Sequence, residues 1–371
     1  MTDTSAHDSL EPLERLGFTD RERALFATLA ESGFQPARVA RVDRGLPLIA
    51  TAHGLERAEP ATHLVKGADS SASRCVVGDW VAIARPEGHD MPIIEVILPR
   101  HGAFARKDPG EETGEQVLIA NVDVVFVVQS LSGGGVNPGR LERELVLAWE
   151  SGAKPVVVLT KSDLSDDVAA QRELASEIAF GVDVIVESVV TGEGIDEVLA
   201  QVPPGSTAAL LGGSGVGKST LVNRLVGEEL QATREVREGD DKGRHTTVAR
   251  ELVLIPGGGV LIDTPGMRAL ALWDAGEGMA AAFPDIEELA IRCRFRDCTH
   301  DAEPGCAVVA AVDEGEMPAR RLASYRRLSN ELVELSRRQD EKARREKKRE
   351  GKILSKTIKE FYRHKPGGKG H

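Results

Sequence analysis

Residues 212–219 read Gly-Gly-Ser-Gly-Val-Gly-Lys-Ser, a match to G-x-x-x-x-G-K-[ST], and the apolar run 208–211 stands directly before them. Closely spaced glycines let backbone N–H groups turn inward around phosphate oxygens, and a helix begun near Lys218 would aim its positive end at the same point. In such a loop Gly212, Gly213, Ser214, Gly215, Val216 and Gly217 line the phosphates. Lys218 bridges the β and γ groups as a catalytic charge, and Ser219, followed by Thr220, faces Mg²⁺. An ordinary glycine-rich turn would need neither a strand before it nor a helix after it, and the pattern supplies both. A second chemistry lies at 293–306, where Cys293, Cys298, His300 and Cys306 are spaced C-x4-C-x-H-x5-C. Three thiolates and one imidazole make a closed set for one structural Zn²⁺, with no position open to substrate. The competing reading is buried cysteines with a chance histidine. The chain's one other cysteine is Cys75, expected to be a strand-core thiol, so the crowding favours metal.

Two further segments address a base and a γ-phosphate. Thr160-Lys-Ser-Asp163 follows the apolar run 155–159 and resembles the N-K-x-D guanine motif of GTPases. There the carboxylate, here Asp163, accepts from guanine N1 and the exocyclic amine. The Lys161 stem packs on the base, and Ser162 lies between them. Adenine has no matching donor pair, so the motif argues against an ATP-using P-loop protein. Thr160 stands where Asn is commoner. Ser188-Val189, after the next apolar run, resembles the following base-contact element. Asp263-Thr-Pro-Gly266 resembles the D-x-x-G element, whose Asp holds Mg²⁺ through water and whose Gly N–H senses the γ-phosphate. Between P-loop and D-x-x-G runs the polar stretch 239–247, Gly-Asp-Asp-Lys-Gly-Arg-His-Thr-Thr, of the kind ordered by γ-phosphate and Mg²⁺. Thr247, or failing that Thr246, is its candidate Mg²⁺ ligand.

The residue after Gly266 is Met267, where many GTPases place a water-orienting Gln. Methionine cannot do this, so a low intrinsic rate is expected and His245 becomes the catalytic candidate. Its plain alternative is a loop histidine that contacts RNA or caps the fold. Arg244 could add charge to the transition state or bind an RNA phosphate; the residues leave both open.

The order of the motifs is itself informative. GTPases ordinarily run P-loop, switch, D-x-x-G, N-K-x-D, whereas here the base motif at 160–163 precedes the P-loop at 212–219. The domain reads as circularly permuted, and the segment after Gly266 leads straight into the cysteine cluster.

These motifs need an α/β scaffold. Apolar runs of strand length at 122–128, 155–160, 182–187, 208–211 and 259–263 alternate with helical stretches at 141–150, 167–178, 195–202 and 218–226. Such alternation predicts a parallel sheet covered on both faces. Upstream, short β-rich runs at 37–42, 48–51, 75–84 and 93–98 predict a small barrel. The expected division is an acidic extension (1–34), a barrel (35–113), a permuted GTPase domain (114–284), a zinc module (285–335) and a basic tail (336–371).

The 371 residues are 41% hydrophobic and 29% charged, a globular composition. No apolar run approaches the roughly 18 residues of a membrane span, and Met1–Arg15 carries four acids without the apolar stretch of a secretory leader. No membrane association is expected, and the cytosol is the expected compartment. The net charge of −12 conceals an asymmetry: 320–371 holds 18 Lys and Arg against 7 Asp and Glu, leaving 29 basic against 52 acidic residues elsewhere. A basic tail on an acidic body favours contact with a polyanion, against the alternative of a solvated helix with i,i+4 pairs. The barrel stretch 36–108 has 10 basic and 9 acidic residues and only Trp80 and Phe104 as aromatics, too few for a single-strand stacking platform.

Barrel, permuted motifs and cysteine cluster together, with Val77-Gly-Asp-Trp80, Asn121-Val-Asp123 and Glu303-Pro-Gly-Cys306, resemble the ribosome small-subunit-dependent GTPase A (RsgA or YjeQ) family over roughly 36–335. The resemblance implies an OB-fold barrel and a cytoplasmic GTPase that uses Mg²⁺. It further implies binding to the small (30S) subunit and its 16S rRNA late in assembly, stimulation by that subunit, and hydrolysis coupled to release. A monomer is expected. The opposing class is a nucleotide-gated RNA-binding scaffold in which turnover is incidental; intact assembly without hydrolysis would favour it.

Overall fold

The computed structural model describes residues 10–43, 45–66, 74–107, 115–227, 250–263 and 276–337. The chain opens with α1 (Glu11–Glu14) and α2 (Asp20–Glu31), which the sequence left without a role. Thr19 and Glu22 form a capping box at the start of α2. Leu13, Phe18 and Phe26 bury themselves against Trp80, with the Phe18 ring 5.1 Å from the indole. Trp80 is thus used for packing.

The barrel strands are β1 (Gln35–Asp43), β2 (Leu46–Thr51), β3 (Gly54–Arg57), β4 (Glu59–Pro60), β5 (Trp80–Ala84) and β6 (Ile93–Ile97), with α3 (Thr62–Lys66) after β4. Strand β1 pairs with β5 through its first half and with β2 through its second, the behaviour of a strand bent around a closed core. Ala37, Val39, Ile49, Val81, Ile83 and Ile94 fill that core. Cys75 departs from expectation. It precedes β5 in a turn, because Gly78 adopts φ +94° and Asp79 folds back to accept from the Val76 N–H at 2.8 Å. A side chain at Gly78 would strike the Ala120 carbonyl. Cys75 still packs on the barrel core, and burial pushes its thiol up to about 12.

Strands β7 (Ala103–Lys107) and β8 (Glu115–Ala120) form a separate antiparallel ladder that straddles the expected boundary at 113/114. The remaining sheet comprises β9 (Val124–Ser130), β10 (Lys154–Thr160), β11 (Asp183–Val186), β12 (Thr207–Gly212), β13 (Glu251–Leu254) and β14 (Val260–Asp263). Their order is β11-β10-β9-β12-β14-β13, parallel except for β13, and β13 meets β1 at Glu251↔Arg41. Strand β9, Val-Val-Phe-Val-Val-Gln-Ser, is apolar without alternation because both faces are covered. Val125 and Val127 enter one core, while Val124, Phe126 and Val128 enter the other. The flanking helices are α4 (Pro138–Glu150), α5 (Val168–Ile178), α6 (Ile195–Ala200) and α7 (Lys218–Val226).

Arg38 fastens the N-terminal helices, the barrel and this sheet together. Its side chain is fully buried and donates to the carbonyls of Leu16, Gly78 and Asn121 and, at 2.8 Å, to Thr207 Oγ1. The guanidinium carbon lies 5.1 Å from the Trp80 ring centre, and burial pulls its pKa down to about 10.

Downstream come α8 (Gly276–Ala282), α9 (Pro284–Ala290), α10 (Ala307–Asp313) and a helix over 319–337. Their core of Met279, Phe283, Ile286, Val308 and Leu328 includes Val146 of α4, so this module begins upstream of 285 and rests on the GTPase sheet's own helix. Arg143 of α4 pairs with Glu331 at 2.7 Å, and Glu142 accepts from Arg327 and Ser324. Among the described residues no helix is long and apolar enough to cross a membrane.

Candidate nucleotide site and metal centre

The sheet order explains why two distant motifs meet. Gly212 at the end of β12 is in register with Val128 of β9, and Thr160 at the end of β10 is in register with Ser130 of β9. Strand ends therefore bring the loop after β12 and the loop after β10 to one edge, where open α/β sheets bind ligands. Side chains complete the junction. Thr160 Oγ1 donates to the Val216 carbonyl at 2.5 Å, and Lys161 Nζ donates to the Gly215 carbonyl at 2.7 Å. Lys161 takes a left-handed conformation, φ +61°, to point that way. The smaller Thr160 thus makes the tie to the phosphate loop that its hydroxyl allows, so replacing Asn leaves the two loops joined. Gly217 has φ +100°, and a side chain there would press on Thr160 Oγ1 at 3.3 Å.

Asp163 sits in a short 3₁₀ turn, Ser162–Leu164, and its Oδ1 accepts from Ser188 Oγ at 2.6 Å. Ser188 is held by its own loop: its Oγ accepts from the Thr191 N–H at 3.2 Å, and its N–H donates to the Glu193 carbonyl. Ser162 Oγ donates to Glu193 Oε2 at 3.1 Å. Glu193 was not flagged by the sequence, yet it braces both base-side loops. Glu187, one residue before Ser188, is buried, and its Oε2 has no hydrogen-bond partner among the described residues. Burial and then the Asp163 carboxylate push it up to about 7.

At the other end of the loop, Lys218 Nζ donates to the carbonyls of Gly212 at 2.7 Å and Gly213 at 2.5 Å. Ser219 and Thr220 are exposed in the first turn of α7, with Ser214 exposed in the loop before them. Asp263 ends β14, beside β12. Arg244, His245, Thr246, Thr247, Gly266 and Met267 lie outside the described residues, as does the tail from 338 onward.

The cysteine cluster assembles as its spacing predicts. Ligand atoms of Cys293, Cys298, His300 and Cys306 all lie within 4.8 Å of one another. His300 Nδ1 is 3.6 Å from Cys293 Sγ and 3.5 Å from Cys306 Sγ, and those sulfurs are 3.9 Å apart. A tetrahedral Zn²⁺ with Zn–S of about 2.3 Å requires sulfurs about 3.8 Å apart, so the donor set fits the ion. The surroundings orient the ligands. Cys306 caps α10 and accepts from the Val309 N–H at 3.4 Å, Arg326 holds the His300 carbonyl, and His300 takes φ +59°. Glu303 accepts from the N–H groups of Thr299 and Asp301 and from the Thr299 hydroxyl, which bring its carboxyl down to about 2. Burial lowers the His300 pKa and so favours the neutral imidazole that a metal requires.

Comparison with known proteins agrees with this geometry. The sequence profile of the RsgA GTPase family matches residues 97–273, and that of the 50S ribosome-binding GTPases matches 207–340. Small ribosomal subunit biogenesis GTPase RsgA of Streptomyces coelicolor is 46% identical over 371 residues, covering 99% of this chain and 100% of that protein. The protein of the same name from Opitutus terrae is 42% identical over 337 residues, covering 88% of this chain and 92% of its own. Among solved structures, YjeQ from Thermotoga maritima superposes with a TM-score of 0.61 at 26% identity, covering 81% of this chain and 99% of that one. YloQ, a circularly permuted GTPase, superposes at 0.60 with 23% identity and supports the fold.

Proposed function

Because the chain belongs to the RsgA GTPase family, we propose that it hydrolyses GTP in the biogenesis of the small ribosomal subunit. The observation that carries this is the junction of base loop and phosphate loop. Thr160 and Lys161 clasp Val216 and Gly215, and Ser188 orients the Asp163 carboxylate. Loops joined in this way can read a guanine and a phosphate chain at one fixed separation.

In this reading the amides of 213–219 cradle the phosphates, and Lys218 leaves the Gly212 and Gly213 carbonyls for the β and γ oxygens. Ser219, Thr247 and Asp263 would hold Mg²⁺, and Gly266 would sense the γ group. Magnesium supplies charge neutralisation at the β and γ oxygens when bound. His245 orients the attacking water, since Met267 cannot. Cys293, Cys298, His300 and Cys306 hold one structural Zn²⁺, which supplies a local fold and no chemistry. Further to this, the protein works in the cytoplasm as a monomer, binds the 30S subunit late in assembly through 16S rRNA, and couples hydrolysis to release. The support is the excess of positive charge in 320–371 and the motif order that places the segment after Gly266 next to the zinc module.

Competition binding and turnover, with and without purified small subunits, test the proposal. GDP and GTP should compete well and ATP poorly, and Asp163→Asn should move preference towards XTP. His245→Ala should keep GDP affinity while subunit-stimulated turnover drops roughly 10²-fold or more. Equal affinity for ATP and GTP in the parent would remove the guanine assignment, and unchanged stimulated turnover in His245→Ala would make that residue structural.

A further inference from the structure

Resting on the GTP reading above, we propose that Arg140, supplied in cis by α4, contacts the γ-phosphate end of the bound nucleotide. Its position is fixed from the sequence upward. Asn137 caps α4 by accepting from the Arg140 N–H at 3.0 Å, and Pro138 opens the helix, so Arg140 is locked as its third residue. Strand β9 leads into α4 and lies beside β12, which brings this first helical turn against the phosphate loop.

Gly213 reports how close the approach is. Its φ lies outside the left-handed region, so its backbone would accept any residue. A methyl group there would nevertheless collide with Arg140 Nη1 and sit 3.1 Å from Arg140 Cζ. The guanidinium therefore lies across Gly213 and would have to move aside for any side chain there. Which end of the nucleotide this serves follows from the rest of the loop. The base-side residues Thr160 and Lys161 hold Val216 and Gly215, whereas Lys218 Nζ, the β/γ-bridging amine, rests on Gly212 and Gly213. Arg140 stands at the Lys218 end.

Charge at this corner points the same way. Among the described residues the Arg140 guanidinium makes no ion pair or hydrogen bond, whereas Arg143 on the same helix is paired with Glu331. The nearby acids of α4 are engaged elsewhere: Glu142 by Arg327 and Ser324, and Glu144 by Gln129 Nε2 at 2.6 Å. Glu144 is buried, which pushes its carboxyl up to about 7, and the cations it feels include both Arg140 and Lys218. Arg140 and Lys218 thus place two cations beside one carboxyl at this corner. A planar guanidinium with paired donors suits phosphate oxygens, and an arginine supplied in cis is a known way to stabilise charge during phosphoryl transfer.

The test uses the full chain with small subunits, fluorescent GDP and a non-hydrolysable GTP analogue. Arg140→Ala should lower stimulated kcat about 10²-fold or more, the scale of losing one charge-stabilising donor. It should weaken the GTP analogue at least tenfold more than GDP. Arg140→Lys should restore the charge but only part of kcat, since an ammonium lacks the planar pair of donors. Gly213→Ala should mimic Arg140→Ala by displacing the guanidinium, and the double variant should lose less than the product of the single losses. Two results would overturn the inference: Arg140→Ala with parental kcat and parental GTP-to-GDP discrimination, or equal losses for both nucleotides with a lowered melting midpoint. A parent that neither binds nor hydrolyses GTP would overturn the reading of the site itself, and is distinguishable because it fails before any substitution at Arg140.

Discussion

Thr160→Val tests the clasp between the two halves of the nucleotide site, the Thr160 hydroxyl also lying 3.3 Å from the Gln129 carbonyl on the neighbouring strand. Thr160 is buried at 1% exposure, and valine matches its shape, so the change opens no cavity. It removes the hydroxyl that donates to the Val216 carbonyl at 2.5 Å. Leaving a buried acceptor unpaired costs about 1–3 kcal/mol. That cost divides between fold stability and affinity. To whatever extent the loops spring apart in the free variant, GDP must restore their separation. The upper bound on affinity is the whole cost, roughly 5- to 150-fold in Kd. Stopped-flow release of fluorescent GDP should show the change mainly as a faster off-rate, and denaturant titration should recover the remainder as a lower midpoint at unchanged m. The two free energies should sum to about 1–3 kcal/mol. If neither off-rate nor midpoint moves, the hydrogen bond does not organise the site.

Two further outcomes are expected. Metal analysis should find about one Zn²⁺ per chain, and Cys298→Ala should unfold the region around 293–306 while GDP binding persists; full zinc in a variant lacking Cys298 and His300 would refute the ligand set. Glu144 and Glu187 are both raised to about 7 by burial, so the folded state holds protons that the unfolded chain releases near 4.5. For these groups stability is highest at low pH, falls as pH rises from about 4.5 to 7, and is flat above. A Glu144→Gln, Glu187→Gln variant should therefore lose less melting temperature than the parent between pH 5 and 8. An identical profile would show that neither carboxyl titrates as described.

The motifs that carry the chemistry were legible because each is local. A glycine loop between a strand and a helix, or four ligands within 293–306, needs no knowledge of distant chain. The buried strands announced themselves through unbroken Val-rich runs such as 124–128. What escaped depends on long-range adjacency. Arg38 looks like one more basic residue in a β pattern, and only folding brings it to Thr207, 169 positions away. Arg140 looks like a solvated helix charge until the β9–β12 pairing sets it on Gly213. The opening residues read as an acidic, partly helical lead-in from their charge and composition; what matters there is a few anchors, Leu13, Phe18 and Phe26. The run 75–84 looked like one strand, but Gly78 and Asp79 turn its first half, and local apolar content does not reveal a turn that closes on Ala120. Strand β13, only Glu251–Leu254, is too short to show a period.

Motif order placed the zinc module immediately downstream of Gly266, and the chain itself looked like the link between nucleotide state and module. The structure adds a second link. Helix α4 carries Arg140 over the phosphate loop at its first turn. Farther along it carries the module, through Val146 in the shared core, the Arg143–Glu331 pair, and Glu150 accepting from the Gly278 N–H at 2.7 Å. Its 13 residues span about 20 Å at 1.5 Å each, a rigid connection between the two sites. A ligand can shift the module only through contacts that differ between nucleotide states; on the reading proposed above, Gly266 would supply one such contact and Arg140 of α4 another. A flexible Gly/Ser insert after Met267 should then shrink the difference in small-subunit binding between GTP analogue and GDP without abolishing it. Adding Arg143→Ala and Glu150→Ala should shrink it further, while deleting 338–371 should weaken both states alike and flatten the salt dependence. Sedimentation with small subunits reads all of these. If the insert alone erased nucleotide dependence while the α4 variant kept it in full, the helix would be a passive support and the covalent segment would carry the whole coupling.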